Sequence, residues 1–111
     1  MFVETKTDGE AVPATTEPWR QVLLDAADLL EREGHCKGAA FRDGKRCAIG
    51  AIYVANRFDR LGSGMFCPIR IKAADRLQEQ VGGKIVPWND APERTAKEVI
   101  SAMRACARQA V

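Results

Sequence analysis

Apolar residues at 19, 22, 23, 26, 29 and 30 recur every three or four positions, with Asp25, Asp28, Glu31 and Arg32 in the gaps. That spacing lays one apolar stripe along a helix and predicts a first helix from about residue 16 to Gly34. Thr15 or Thr16 offers the N-cap. Glu17 and Pro18 then fall in the first turn, where a carboxylate meets the helix dipole and a missing N–H costs nothing. Ala51, Ile52, Ala55 and Phe58, with Tyr53 and Val54 alongside, predict a second helix from Cys47 or Ala48 to about Arg60. Gly50 and Ala51 near its start leave room for another backbone. Cys67-Pro68 opens a third helix with Ile71, Ala74, Leu77, Gln78 and Val81 on one face, and Gly82-Gly83 ends it. The last apolar stripe is Ala96, Val99, Ile100, Met103, Cys106 or Ala107, and Ala110. Its start has two candidates: Asn89 or Asp90 ahead of Pro92 and Glu93, and a capping box of Thr95 with Glu98.

The segments between are read from their turn residues. Asp43-Gly44 is a tight-turn signal, so residues 35–47 are predicted to form a short hairpin or paired extended arms. Leu61-Gly62-Ser63-Gly64 is a turn. Lys84-Ile85-Val86-Pro87-Trp88 is expected to be extended or looped, because the residue before a proline is biased away from helix. Residues 1–15 read as a loosely held arm in which Phe2-Val3-Glu4 could pair as an edge strand. Cys36-Lys37-Gly38-Ala39 and Cys47-Ala48-Ile49-Gly50-Ala51 look alike, which is a local likeness and no repeat architecture. The expected fold is mainly α, a compact bundle of about four helices with a short β-hairpin after helix one. Residues 16–111 form its single small domain.

A chain of 111 residues, 46 % hydrophobic and 29 % charged, has room for one folded domain and excludes a catalytic domain joined to a cofactor domain. The net charge of +2 is unevenly spread. Residues 1–33 carry three cations against eight carboxylates, a net of −5, which leaves +7 for the remainder. Six Lys and Arg against two Asp between residues 34 and 60 make the densest basic stretch. No apolar run approaches the roughly 18 residues of a membrane span. The start MFVETKTDGE lacks the basic and apolar regions of a secretory signal. A cytoplasmic protein with reduced thiols is therefore expected.

Four kinds of chemistry are open to these residues. His35, Cys36, Cys47 and Cys67 are weak candidates for a metal site, since they lack the close ligand pairs that usually fix two corners of a zinc tetrahedron. His35 is the one available base for a cysteine nucleophile; Cys47 could approach it across the hairpin, with Asp43 or Asn89 orienting it. Asp25 and Asp28 read as a solvated helix face. Asp90, beside Trp88 and Asn89, reads as a cap for the last helix or a ligand contact, with Trp88 plugging the core edge. Arg42, Lys45 and Arg46 gather at the turn, with Lys37, Arg57 and Arg60 nearby and Phe41 and Tyr53 as stacking surfaces. Such a set suits phosphate contacts. Gly62-Ser63-Gly64 lacks the lysine and strand of a nucleotide loop.

Cys36-Lys37-Gly38-Ala39, Arg46-Cys47-Ala48-Ile49-Gly50-Ala51 and Trp88-Asn89-Asp90, followed by Arg94-Thr95 and a terminal amphipathic helix with Val99, resemble an uncharacterised family of small actinobacterial and bacteriophage proteins. The resemblance spans about residues 19–107, with His35 where that family carries Trp. It implies a bacterial or phage cytoplasmic setting and no particular chemistry. The expected function is an accessory or regulatory role exerted by binding a protein, with Arg42, Lys45, Arg46, Trp88, Asn89 and Asp90 as contact residues and no cofactor. The alternatives are weak nucleic-acid binding through the basic turn and a small enzyme or metal-binding protein using Cys and His. A homodimer is compatible with the small residues on the helix faces.

Overall fold

The computed structural model describes residues 17–55 and 68–109. The expected N-terminal arm, the Thr15 or Thr16 cap, the end of helix two, the 61–64 turn, Arg57, Arg60, Cys67 and Ala110 lie outside them. The elements are α1 (Pro18–Glu33), β1 (Phe41–Arg42), β2 (Lys45–Arg46), α2 (Ala48–Ala55), α3 (Pro68–Val81), α4 (Ile85–Asp90) and α5 (Ala96–Arg108). The chain is thus mostly helical, with the small antiparallel hairpin directly after the first helix, as its patterning predicts. No helix among the described residues is long and apolar enough to cross a membrane.

Helix α1 runs through the middle and packs on α2, α3 and α5. Its stripe of Trp19, Val22, Leu23, Ala26, Leu29 and Leu30 is buried as expected, with Ala27 beside it. Ala48, Ala51, Ile52, Ala73, Leu77, Ile85, Val99, Met103, Cys106 and Ala107 complete the core. The many alanines let helix axes approach closely, so a small chain buries a continuous apolar interior. Cys106 acts as one of these small apolar residues, and burial pushes its thiol up to about 11.

Several boundaries differ from their sequence expectation. Glu17 is itself the N-cap residue of α1, with extended backbone and no side-chain cap bond, and Pro18 is the first helical residue. Its carboxylate instead faces Arg20 at 3.4 Å and Lys72 at 3.5 Å. Residues 84–88, expected to be extended or looped, belong from Ile85 onward to the extra helix α4, which runs to Asp90. Pro87 is its third residue, within the first turn, where amides have no intrahelical acceptor, so proline removes nothing the helix uses. Trp88 N–H makes the first backbone bond, to Lys84 at 3.2 Å, and Gln78 Oε1 accepts the Ile85 N–H at 3.3 Å.

On α3 the buried face is turned by one residue: Arg70, Ala73 and Leu77 are inside and Ile71 is 45 % exposed. Arg70 takes the inner place because its guanidinium lies 4.5 Å over the Tyr53 ring, a contact that offsets part of the cost of burying the charge. Helix α5 starts at the Thr95–Glu98 capping box, with both reciprocal bonds formed at 3.0 and 3.1 Å. Ala96 is exposed, and the buried face is Val99, Met103, Cys106 and Ala107. Across the α1–α5 seam, Arg104 donates to both Asp28 and Glu31 at 2.8 Å. Asp28 lies on the exposed helix face expected for it but is paired there across elements, and Asp25 accepts from Gln21 at 3.0 Å.

Candidate functional site

The hairpin pairs Phe41 with Arg46 and Arg42 with Lys45. Asp43 and Gly44 form its two-residue loop with φ of 54° and 80°, the positive values a right-twisted hairpin needs and that Asp and Gly tolerate best. The base of the hairpin is tied to the chain leaving α1. His35 and Arg46 form a parallel bridge, Cys36 N–H donates to the Arg46 carbonyl at 2.9 Å, and Arg46 N–H donates to the Gly34 carbonyl at 3.2 Å.

Asn89, fully buried at the end of α4, locks this base in place. Its Oδ1 accepts from the Ala48 N–H at 2.9 Å and meets His35 Nε2 at 2.7 Å; its Nδ2 donates to the Cys36 carbonyl at 3.1 Å and to Asp90 Oδ1 at 2.9 Å. A backbone N–H can only donate and a carbonyl only accept, so these two partners settle which way the amide points. Nε2 of His35 must then carry the proton and donate it. Every hydrogen-bonding capacity of the carboxamide is used.

Asp90 extends the cluster by accepting the Gly38 N–H at 3.0 Å. That bond and then the Asn89 amide, opposed by burial and helped more weakly by the nearby His35 and Lys37, hold its carboxyl below the ordinary aspartate range. Gly38 sits at φ 79°, a conformation that presents its amide to Asp90 and that side chains with a Cβ resist. Lys37 Nζ donates to the carbonyls of Ala91 at 2.6 Å and Pro92 at 3.2 Å, so the loop is clamped to both sides of the α4 end.

The start of α2 fits into the same corner. Cys47 precedes its first helical residue, and its Sγ accepts the Gly50 N–H at 3.4 Å, filling the place of an oxygen cap. Cys47 N–H reaches back to the Ala40 carbonyl at 3.1 Å. A Cβ at residue 50 would collide with that same carbonyl oxygen, so only glycine fits there. The three short motifs, Cys36 to Ala39, Cys47 to Ala51 and Trp88 to Asp90, thus converge on one junction of loop, helix start and helix end.

The six expected contact residues all lie within the described part of the chain. Asn89 and Asp90 do not open the last helix; they close α4, and Asn89 caps α2 from 41 residues away. Trp88 is half-buried against the core edge, with Arg94 stacked 4.7 Å over its ring and donating to its carbonyl at 3.0 Å. Arg42 and Lys45 are exposed, and Arg42 donates to the Lys37 carbonyl at 3.3 Å. Arg46 lies 4.4 Å over the Phe41 ring, and Phe41 itself is 54 % exposed. Phe41 and Tyr53 are therefore each covered on one face by an arginine of this chain.

His35 is engaged with Asn89 through a protonated Nε2, so that nitrogen is no base toward Cys47, whose sulfur instead faces Gly50. Asp43 is at the hairpin tip, away from both. Among the described residues no three His, Cys, Asp or Glu side chains converge as a metal site would require; Cys67 lies outside them. Of the two orienting partners expected for His35, the structure supplies Asn89 and not Asp43, while Gly38 as part of this junction and Arg104 as the partner of Asp28 had no sequence expectation. The acceptor-rich Asn89-Asp90 pair facing a left-handed Gly38 is the signal that only tertiary placement reveals.

The fold and the junction define a small helical domain that presents one hairpin from a polar clasp. A family model, that of the family of unknown function DUF6197, matches residues 14–109, and the chain belongs to that family. No curated protein and no solved structure matches it.

Proposed function

We propose that this protein works by binding, and that the hairpin Phe41–Arg46 is its contact element for a protein partner with an acidic face. The observation that carries this reading is Phe41, 54 % exposed beneath the Arg46 guanidinium on a hairpin held at its base by Asn89. An exposed aromatic flanked by Arg42 and Lys45 is the composition of an interface anchor. Holding it rigid before contact reduces the ordering cost of binding. Trp88, Asn89 and Asp90 contribute by positioning the hairpin. His35 Nε2 is engaged with Asn89 and so is no base toward Cys47, which favours binding over acid–base catalysis. In the bacterial or phage cytoplasm that the sequence resemblance implies, such a module acts as an accessory or regulatory factor.

The same cations support a second reading, contact with nucleic-acid phosphates. A photo-crosslinking amino acid at position 41, activated in intact producing cells, separates the two. The proposal expects a defined protein adduct that is lost with Arg42→Glu and Lys45→Glu and is absent when the probe stands at Ile71. No protein adduct, together with a salt-sensitive gel shift abolished by alanine at Arg42, Lys45 and Arg46, would replace it with the nucleic-acid reading.

A further inference from the structure

Cys36 and Cys47 occupy matching places on two neighbouring chain segments. His35 and Arg46 are bridged in parallel, and each cysteine is the next residue along. Parallel neighbours in register lie about 5 Å apart and direct their side chains to the same face, which is inside the Cα separation of roughly 4.4–6.8 Å that a disulfide spans. The local contacts agree. Cys36 Sγ lies 3.3 Å from the Ala39 carbonyl, and the adjoining Ala40 carbonyl accepts the Cys47 N–H at 3.1 Å, so both cysteines border the same two-residue corner. The Cys36 thiol is raised first by burial and next by Cys47, so the two thiols sense each other. Both are free thiols; Cys36 is half-buried and Cys47 is 5 % exposed.

We infer that Cys36 and Cys47 are a dithiol that a hydroperoxide converts to a disulfide, covalently closing the base of the hairpin. The more exposed Cys36 sulfur attacks the O–O bond, forming a sulfenic acid and releasing water or the corresponding alcohol. The Cys47 sulfur then displaces the sulfenic hydroxyl, which leaves as water with the remaining thiol proton. Two thiols lose two electrons in all, and the hydroperoxide takes them up. The ring so formed encloses Gly38 and the whole Phe41–Arg46 hairpin, and both sulfurs border the Asn89 clasp. Oxidation is thereby coupled to how firmly the hairpin is held.

The test uses the full chain with equimolar hydrogen peroxide, followed by alkylation under denaturing conditions and peptide mass mapping. The expected result is a linked peptide pair containing Cys36 and Cys47, lighter by two hydrogens than the two reduced peptides. Titratable thiols should fall from four to two, and amide exchange should slow across residues 38–46. Cys47→Ser risks misfolding because that sulfur caps α2, so Cys36→Ser is the informative variant: Cys47 should remain alkylatable there. A Cys36 linked to Cys67 or to a second chain, a Cys36 that proceeds to sulfinic acid, or Cys47 consumed equally fast in Cys36→Ser would each overturn the pair.

Discussion

Asn89 shows how one side chain commits a small protein to one arrangement. It is buried, carries no charge, and satisfies two backbone groups at once, the Ala48 N–H and the Cys36 carbonyl. Asn89→Ala leaves both unpaired, and a loss of about 2–4 kcal/mol in denaturant-derived stability is expected. Asn89→Asp should cost at least as much, since it sets an acceptor against the Cys36 carbonyl. Gly50→Ala drives a methyl into the Ala40 carbonyl, and a loss of roughly 1–3 kcal/mol is expected from the backbone shift it forces. For Asp90 the sign follows from the depressed folded pKa: its contribution is present above the ordinary 3.8 and is lost as pH falls through the lower folded value. Asp90→Asn should therefore lose less stability than the parent between pH 4 and the acid limit, read by chemical denaturation at each pH.

At the scale of elements, periodicity located α1 to within a residue or two because its stripe is long and Pro18 and Gly34 mark its ends, and of the two starts open to α5 the Thr95–Glu98 box is the one used. The hairpin was legible from Asp43-Gly44 alone. The helix α4 and the inward face of α3 were not. In α4 a local rule, that the residue before proline avoids helix, lost to position, because Pro87 falls where its missing N–H is of no consequence. Pro87→Ala is accordingly expected to leave helicity by circular dichroism intact and to change stability by less than about 1 kcal/mol. In α3 a charged residue took an inward place that hydrophobicity assigned to Ile71, because stacking on Tyr53 is invisible to a one-dimensional pattern. Thr95→Ala should lower the melting temperature, with a cost of about 1 kcal/mol for the lost cap.

For the whole molecule, the acidic start and basic remainder are partly joined inside the fold: Arg104 of α5 binds Asp28 and Glu31 of α1, and Lys72 of α3 faces Glu17. The basic hairpin stays outward, its base held by Asn89 and Asp90 of α4. The site residues were nameable in the sequence because Cys, Gly, Trp, Asn and Asp stand out in an alanine-rich chain, yet their roles were not. Asn89 reads as a local cap in one dimension and serves a helix start 41 residues earlier in three. Amide hydrogen exchange comparing the parent chain with Asn89→Ala tests the clasp most directly. Loss of protection concentrated at residues 36–48, with α1 and α5 amides still protected, is the expected result. Protection lost evenly across the chain, or unchanged at Gly38 and Ala48, would contradict it.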